Sequence, residues 1–545
     1  MCFVNTHLVI AIKQPQSFLL FFDAMSDEHV ATSTKQVACA AAEIDALLDV
    51  IKHQDDHELL LEACNALCNV TSNVENAHRC CHAGEIVVDF IRRKRQVSDE
   101  MMQLACEVLA NITVHADSQR TCGEAGGVEV AVEIIKQSKR PELLLQACLA
   151  LRNMTMLRES EHYSKNQLKC GRAGGIEALV RLLCDPSSTT KLLEAICKAL
   201  CTTCYYICGG SSTDGSLEGL LKIINKYNDV PASLIEWATA ALWTIVEPNC
   251  LAQAKCVAIG GVKVLASVIQ HNVDVDGSVK MLTDACGALR SCTQKSFTLI
   301  LNSSIQKSWT NTLKVLCEST DAVSPIRALV SVLGRHLDTA PHELLTEACK
   351  AFSNIINALY NVNVSLGRMA GVDEMLGQLV RLVASRMNDA PVKVLSAACE
   401  DMSIIIRSNK KDYDNANTVF GLCGGIEALL AFANYLGPLA ASAPAKYDRN
   451  ELTMTHRDTL IKVCDLLRDA ANNAGNRHRF DEAQGGASMR QLLTIVASQD
   501  ISHSDCTVMN NPKLRFAIEE VLKAMAGQFR LGCWYDQIKD GGRFC

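Results

Sequence analysis

Apolar residues recur along this chain at spacings of three and four, and the blocks they form repeat. LLLEACNALCNVT at 59–71 returns as MMQLACEVLANIT at 101–113 and LLLQACLALRNMT at 143–155, a period of 42 taken twice through Asn69, Asn111 and Asn153. Leu, Ala or Cys, and Leu fall on one face of a helix of about ten to fourteen residues. Weaker copies start at Leu192, Ser233, Met281 and Glu343, and degraded ones at Val394 and Thr459, for about nine in all. About fifteen residues after most copies comes a glycine, as in Ala125-Gly126-Gly127, Ala173-Gly174-Gly175, Ala370-Gly371 and Gln484-Gly485-Gly486. Glycine permits the left-handed backbone of a tight helix-to-helix corner. A second amphipathic segment follows, such as VEVAVEIIKQ or IEALVRLLC. One unit therefore reads as long helix, short helix, glycine corner, medium helix and polar loop.

The period breaks at 209–216, GGSSTDGS, at 296–342, where the glycine corner is absent, and at 437–451, whose Pro, Ala and Ser content suits an exposed linker. Residues 37–51 and 513–529 read as caps of the array. Residues 1–36 are too irregular to belong to it, and 531–545 form a tail. In 1–24 the apolar runs LVIAI and FLLFF are split by Lys13 and Pro15, far short of the roughly 20 residues of a membrane span. The segment lacks the basic start and unbroken apolar stretch of a secretory signal. Met25, followed by Ser-Asp-Glu, offers a second start of translation.

Composition changes this picture little. At 545 residues the chain exceeds the size at which one core keeps growing, so it forms several domains or a repeat array. With 48% hydrophobic and only 5% aromatic residues, it suits helices packed through small contacts. A formal charge of -7 provides no bulk positive field for nucleic acid. The 27 cysteines recur inside the helical apolar pattern, as buried thiols of a reducing compartment do. The expected location is the cytoplasm, with the nucleus open.

A period near 42 residues built from two or three helices is the signature of armadillo and HEAT repeats. AGGIEALVRLLCDP followed by LLEAICKAL resembles the armadillo pattern, in which a glycine separates the first two helices and an Asn often ends a Leu-x-Asn turn of the third. The resemblance covers about 60–500. It implies an all-α, right-handed superhelical solenoid of armadillo-type repeats over 37–530, with insertions near 156–170, 296–342 and 437–451. The connection 156–170 resembles an insertion in one subgroup of the family. The resemblance further implies a concave groove lined by the third helices, where Asn side chains bond an extended peptide. The matching residues are Asn69, Asn111, Asn153 and Asn354; the alternative is that these amides end helices through local backbone bonds. One turn earlier, where the nuclear-import carriers of the family have Trp, this chain has Asn65, Glu107, Leu149 and Lys350. That departure puts recognition of basic import signals in doubt.

The groove charges are of mixed sign along the array, through Glu107, Lys198, Lys350, Glu400, Asp465 and Asp469. Arg152, Arg290 and Arg468 stand one residue before the Asn position, either reaching for an acidic ligand or solvated on the helix flank. Cys197, Cys201, Cys204 and Cys208 lie on one helix face spanning roughly 16 Å at 1.5 Å per residue. Four thiolates about 2.3 Å from one zinc cannot come from that span, so the set reads as a core stripe before a metal or redox site. His53 and His57 fall in a polar loop, and Arg92-Arg-Lys-Arg95 at a helix C-terminus, where cations complement the dipole. The chain has no phosphate-binding glycine loop, His-Glu-x-x-His helix or nucleophile elbow. The expected function is a scaffold or adaptor that binds a partner polypeptide without cofactor, nucleic acid or membrane. The alternatives are a nucleocytoplasmic carrier and a metal or redox protein using clustered thiols. Enzymatic activity is not expected.

Overall fold

The computed structural model describes residues 41–80, 82–93, 98–156, 161–204, 215–294, 311–317, 324–360, 366, 369, 371–408, 413–441, 451–471, 473–498 and 512–526. The chain divides into two units, Met1–Ala252 and Gln253–Cys545. In unit 1 the helices are α1 (Ala41–His53), α2 (His57–Thr71), α3 (Val74–Arg79), α4 (Ala83–Arg93), α5 (Asp99–Ile112), α6 (Ala116–Glu124), α7 (Gly127–Gln137), α8 (Pro141–Thr155), α9 (Glu161–Arg172), α10 (Gly175–Leu183), α11 (Thr190–Thr203), α12 (Ser216–Ile224) and α13 (Ala232–Val246).

The long helices begin where side chains satisfy their first N–H groups. Asp56 accepts from the N–H of Glu58 and Leu59 at the start of α2, and Ser98 and Thr189 cap α5 and α11 in the same way. Each such cap contributes about 1 kcal/mol. Pro141 opens α8, where its missing N–H is not needed. The apolar faces then pack in order: α2, α5, α8, α11 and α13 lie side by side as the third helices of successive repeats. The second helices α1, α4, α7, α10 and α12 each pack on the third helix of their own repeat and on one another. Leu60, Ala63, Cys64 and Leu67 of α2 are buried, as are Ala105, Cys106 and Leu109, the counterparts of the last three, and Met101 of α5.

The corner glycines have a second use. Gly126, at φ +89°, leaves room for the Arg92 guanidinium, whose Nη2 donates to the Ala125 carbonyl at 2.6 Å. Gly174, at φ +69°, admits Lys136, whose Nζ donates to Ala173 O at 2.6 Å. The basic last turn of one second helix thus closes the corner of the next repeat. Arg93 pairs with Asp89 at 2.9 Å, which accounts structurally for half of the basic run; Lys94 and Arg95 lie outside the described residues.

Unit 2 continues the pattern with α14 (Cys250–Ala258), which crosses the boundary in sequence, α15 (Gly261–Asn272), α16 (Val279–Thr293), α17 (Pro325–His336), α18 (His342–Tyr360), α19 (Val372–Arg386), α20 (Val392–Ser408), α21 (Tyr413–Leu422), α22 (Gly425–Ala441), α23 (Glu451–Ala471), α24 (Ala474–Glu482), α25 (Gly485–Ser498) and α26 (Pro512–Ala526). The third helices α16, α18, α20, α23 and α26 pack in succession. Inside the stretch expected as an insertion at 296–342, α17 takes the second-helix place between α15 and α19. It opens on Pro325 where other repeats use glycine. In the linker expected at 437–451, α22 runs to Ala441 with Pro438 inside it, α23 begins at Glu451, and 442–450 lie outside the described residues. In the last corner the left-handed residue is Gln484, at φ 53°, one position before the two glycines. The chain is an all-α solenoid of three-helix, armadillo-like repeats.

The described cysteines are free thiols, most of them buried; Cys184 and Cys423 are exposed. Burial pushes the thiols of Cys64, Cys106 and Cys148 up to about 12, which disfavours the reactive thiolate.

Asp401 of α20 is fully buried, and its Oδ2 accepts from Ser353 Oγ of α18 at 2.7 Å. Burial pushes its carboxyl well above the usual range; the Ser353 bond and Lys462 pull the other way, and Glu400 adds to the rise. A folded-state pKa above the unfolded one makes the protonated form the stabilising one, so its contribution is complete below the unfolded pKa near 3.8 and is lost as pH rises through the folded pKa. Asp401→Asn, which keeps an acceptor for Ser353, is expected to raise neutral-pH stability by about 1–3 kcal/mol, the range for a relieved buried polar group. The gain over wild type should vanish below about pH 4 in melts compared across pH.

Candidate functional site

The third helices present their half-exposed side chains in register, and the structure divides the residues expected at a groove into two kinds. Asn65 and Asn69 of α2 are exposed, and Glu107 of α5 and Leu149 of α8 are half-buried. These four stand on the accessible surface of successive third helices. Asn153 is only 6% exposed: its Nδ2 donates to Ala110 O of α5 at 2.8 Å, and its Oδ1 accepts from Arg152 at 2.8 Å. Asn111 Nδ2 donates to Thr71 Oγ1 of α2 at 3.3 Å, and in unit 2 Asn354 Nδ2 donates to Arg290 O of α16 at 3.0 Å. While Asn69 of the ladder stands exposed, Asn111, Asn153 and Asn354 therefore join neighbouring third helices. The sequence placed these amides toward a ligand or toward local helix ends; the bonds run instead to the helix of the preceding repeat, because stacking sets that helix's last carbonyls and hydroxyls one side-chain length away.

On α11 and α13 the surface is built differently. Lys198 pairs with Glu194 at 2.6 Å, both side chains 25% exposed, and lies over the Trp237 ring at 5.2 Å from its centroid. Glu194 also accepts from Ser233 Oγ at 3.1 Å. Trp237 and the half-buried Trp243 put indole rings on the third helix α13, which a comparison made only at the family's Trp register misses. The offset Trp-x5-Trp spacing is the signal that finds them. Of the cysteine stripe, Cys197 and Cys204 are buried, Cys201 is half-buried with its thiol on Trp237 O at 3.7 Å, and Cys208 lies outside the described residues.

In unit 2 the corresponding surface is laced with charge pairs. Arg290 of α16 bonds Glu347 of α18, which also faces the half-exposed Lys350 at 3.8 Å. Lys462 of α23 reaches Glu400 of α20 at 2.8 Å. Arg407 of α20 reaches Asp469 of α23 at 2.5 Å, and Arg468 bonds both Asp465 and Asp469, at 2.8 and 3.2 Å. The three arginines before the Asn position thus all have partners within the fold, Arg152 on Asn153 and the other two on carboxylates.

Among the described residues no three His, Cys, Asp or Glu side chains are placed to hold a metal ion, and no single helix is long and apolar enough to cross a membrane. His53 bonds Asp49 at the end of α1, and His57 begins α2 with its side chain exposed.

No protein-family model matches this chain, and no curated protein matches it. Among solved structures, the chain resembles an engineered protein at a TM-score of 0.61 and 19% identity, over 89% of this chain and 98% of that one. A designed armadillo repeat protein matches 46% of this chain and 99% of its own at 18% identity and a TM-score of 0.38. Another, in complex with the peptide (KR)4, matches 46% and 99% at 19% identity and a TM-score of 0.37. The first likeness is one of fold, and it agrees with the repeat solenoid built above from the packing of the helices.

Proposed function

We propose that the chain is a scaffold or adaptor that holds a segment of a partner polypeptide along its third helices, without a cofactor and without catalysing a reaction. The observation that supports this reading is the row Asn65, Asn69, Glu107 and Leu149 on adjacent helices, continued by the Lys198–Trp237 pair. Exposed amides bond an extended backbone, Leu149 and Trp237 offer apolar contact, and Glu107 and Lys198 recognise mixed charge. The groups with strongly shifted titration, Asp401 and the core thiols, are buried, which favours binding over catalysis. A cytoplasmic location, with access to the nucleus, fits a chain rich in free thiols. Within the armadillo proteins, the stretch 156–170, in which α9 begins at Glu161, resembles an insertion in the group called armadillo repeat-containing protein 6.

Asn111 and Asn153 are poor places to test binding, since their amides also hold the repeats together. A photo-crosslinking residue in place of Asn65 or Leu149 tests it directly, with one at the exposed Arg120 of α6 as the control. A partner captured from positions 65 and 149 and not from 120 is expected. Equal capture from all three, or capture from 120 alone, removes the third-helix reading.

A further inference from the structure

We propose that unit 1 carries a second docking surface, away from the third-helix face, that takes an extended acidic segment with two apolar anchors. Two neighbouring clefts form it. The first, about 370 Å³, opens between α4 and α7 over Ile91, Met102, Ile134 and Leu143. The second, about 310 Å³, opens one repeat further on over Leu144, Leu182 and Leu192. The loop at 137–141 is their common wall, and Gln137, Ser138 and Lys139 line both. Each cleft has apolar residues in its lining; Asp99 and Glu133 border the first, and Asp185, Ser187 and Ser188 the second.

The charges around them decide the occupant. Of the acids, Asp99 is offset by Arg140 at 3.5 Å, while Glu133 accepts from the neutral Gln137 Nε2 at 3.0 Å and keeps its charge. Asp185 accepts from the Ser187 hydroxyl and N–H at 2.7 and 2.9 Å, bonds that hold its carboxyl below the usual range. Arg140 is offset by Asp99; the other cations are engaged with neutral groups or with none. Arg92 and Lys136 donate to corner carbonyls, and Arg181 Nη2 donates to Ile135 O and Lys136 O at 2.9 Å each. A carbonyl orients a cation without neutralising it. Lys139, on the shared wall, is exposed and makes no hydrogen bond or ion pair with the described residues. With Arg140 and Asp99 offsetting each other, Arg92, Lys136, Lys139 and Arg181 outnumber Glu133 and Asp185 around the clefts, so the field over the ridge is positive and a complementary partner carries carboxylates between its two apolar residues.

Helices of adjacent repeats pack about 10 Å apart. A polyproline-type segment places side chains three residues apart on one face at about 9 Å. An extended peptide with leucines three positions apart and acidic residues between them therefore seats one leucine in each cleft and a carboxylate on Lys139.

The probe is a fluorescein-labelled octapeptide, Asp-Glu-Leu-Asp-Glu-Leu-Asp-Glu, titrated with the full chain at low salt and read by anisotropy. Saturable binding is expected, weakened at least ~10-fold by Lys139→Glu and by replacing both leucines with serine, and falling with salt. Lys139 is exposed, so the variant should melt as wild type does; Lys139→Ala, with no added charge, should show a smaller loss in the same direction. Leu149→Asp, on the third-helix face, should leave this binding unchanged. Absence of saturable binding, equal binding of a lysine-for-acid analogue, or loss with Leu149→Asp but not with Lys139→Glu overturns the proposal. None of these outcomes bears on the crosslinking result at positions 65 and 149.

Discussion

Gly421→Ala is expected to destabilise unit 2 by about 2 kcal/mol or more, and Gly123→Ala to do the same in unit 1, although alanine is the better helix former. Both glycines lie in first helices, Gly123 in α6 and Gly421 in α21. A Cβ at Gly123 would overlap the Asn166 amide of the next first helix, and a Cβ at Gly421 would overlap that of Asn476. Those amides are structural: Asn166 Nδ2 donates to Gln119 O and Met154 O at 3.3 and 3.0 Å, and Asn476 Nδ2 to Asn417 O and Ala470 O at 2.9 and 3.3 Å. Each therefore joins one first helix to the next and also closes the end of a third helix. Displacing a buried amide from two carbonyls costs about 1–3 kcal/mol for each group left unmet. The helix-propensity gain of about 1 kcal/mol offsets only part of that. Gly334 of α17 is the control, because a Cβ there meets Gln378 at an ordinary 3.5 Å. Gly334→Ala should be neutral or stabilising by up to about 1 kcal/mol. Since two units need not unfold together, hydrogen exchange of α6, α21 and their neighbours is the measurement to use. Pairing Gly421→Ala with Asn476→Ala should cost less than the sum of the two single changes. Equal behaviour of the alanine variants at 334 and 421 would refute this account.

The glycines that matter most for packing were not the ones visible in the sequence. The corner glycines at 126 and 174 announce themselves because two long apolar patterns flank them. Gly123 and Gly421 sit in short polar helices, and each meets an amide that arrives from the next repeat, 43 and 55 residues later. Gln119–Gly123 and Asn417–Gly421 share one spacing, which is the trace of this contact. The third helices were legible because three- and four-residue apolar spacing is a local property. What their polar residues bond was not, since Asn153 to Ala110 and Arg407 to Asp469 are contacts between repeats that only stacking creates. The same holds for the second surface: its clefts exist only once α4, α7 and α10 lie side by side.

Glu347→Ala is expected to cost unit 2 about 3–5 kcal/mol, the most damaging charge removal in the unit. The Arg290 side chain is 14% exposed and that of Glu347 9%, and the pair joins α16 to α18 directly. Truncating the acid leaves a guanidinium desolvated with no counter-charge, and the Asn354 bond to Arg290 O depends on the same helix contact. Replacing both members with leucine removes the buried charges together, so the double variant should lie far closer to wild type than Glu347→Ala does. The Lys462–Glu400 pair supplies the comparison. Its side chains are 41% and 53% exposed, and Glu400→Ala should cost under about 1 kcal/mol, with salt erasing most of that. Denaturant unfolding of the four proteins at low and high salt separates the two cases. The Glu347 effect should persist in salt, because solvent ions do not reach the pair. Glu347 also faces Lys350, so its loss leaves a half-exposed cation without its acid on the third-helix face. The variant should then attract the acidic octapeptide to unit 2 more strongly than wild type does. A loss of stability at Glu347 no greater than at Glu400 would mean that Arg290 finds water or another carboxylate when its partner is removed.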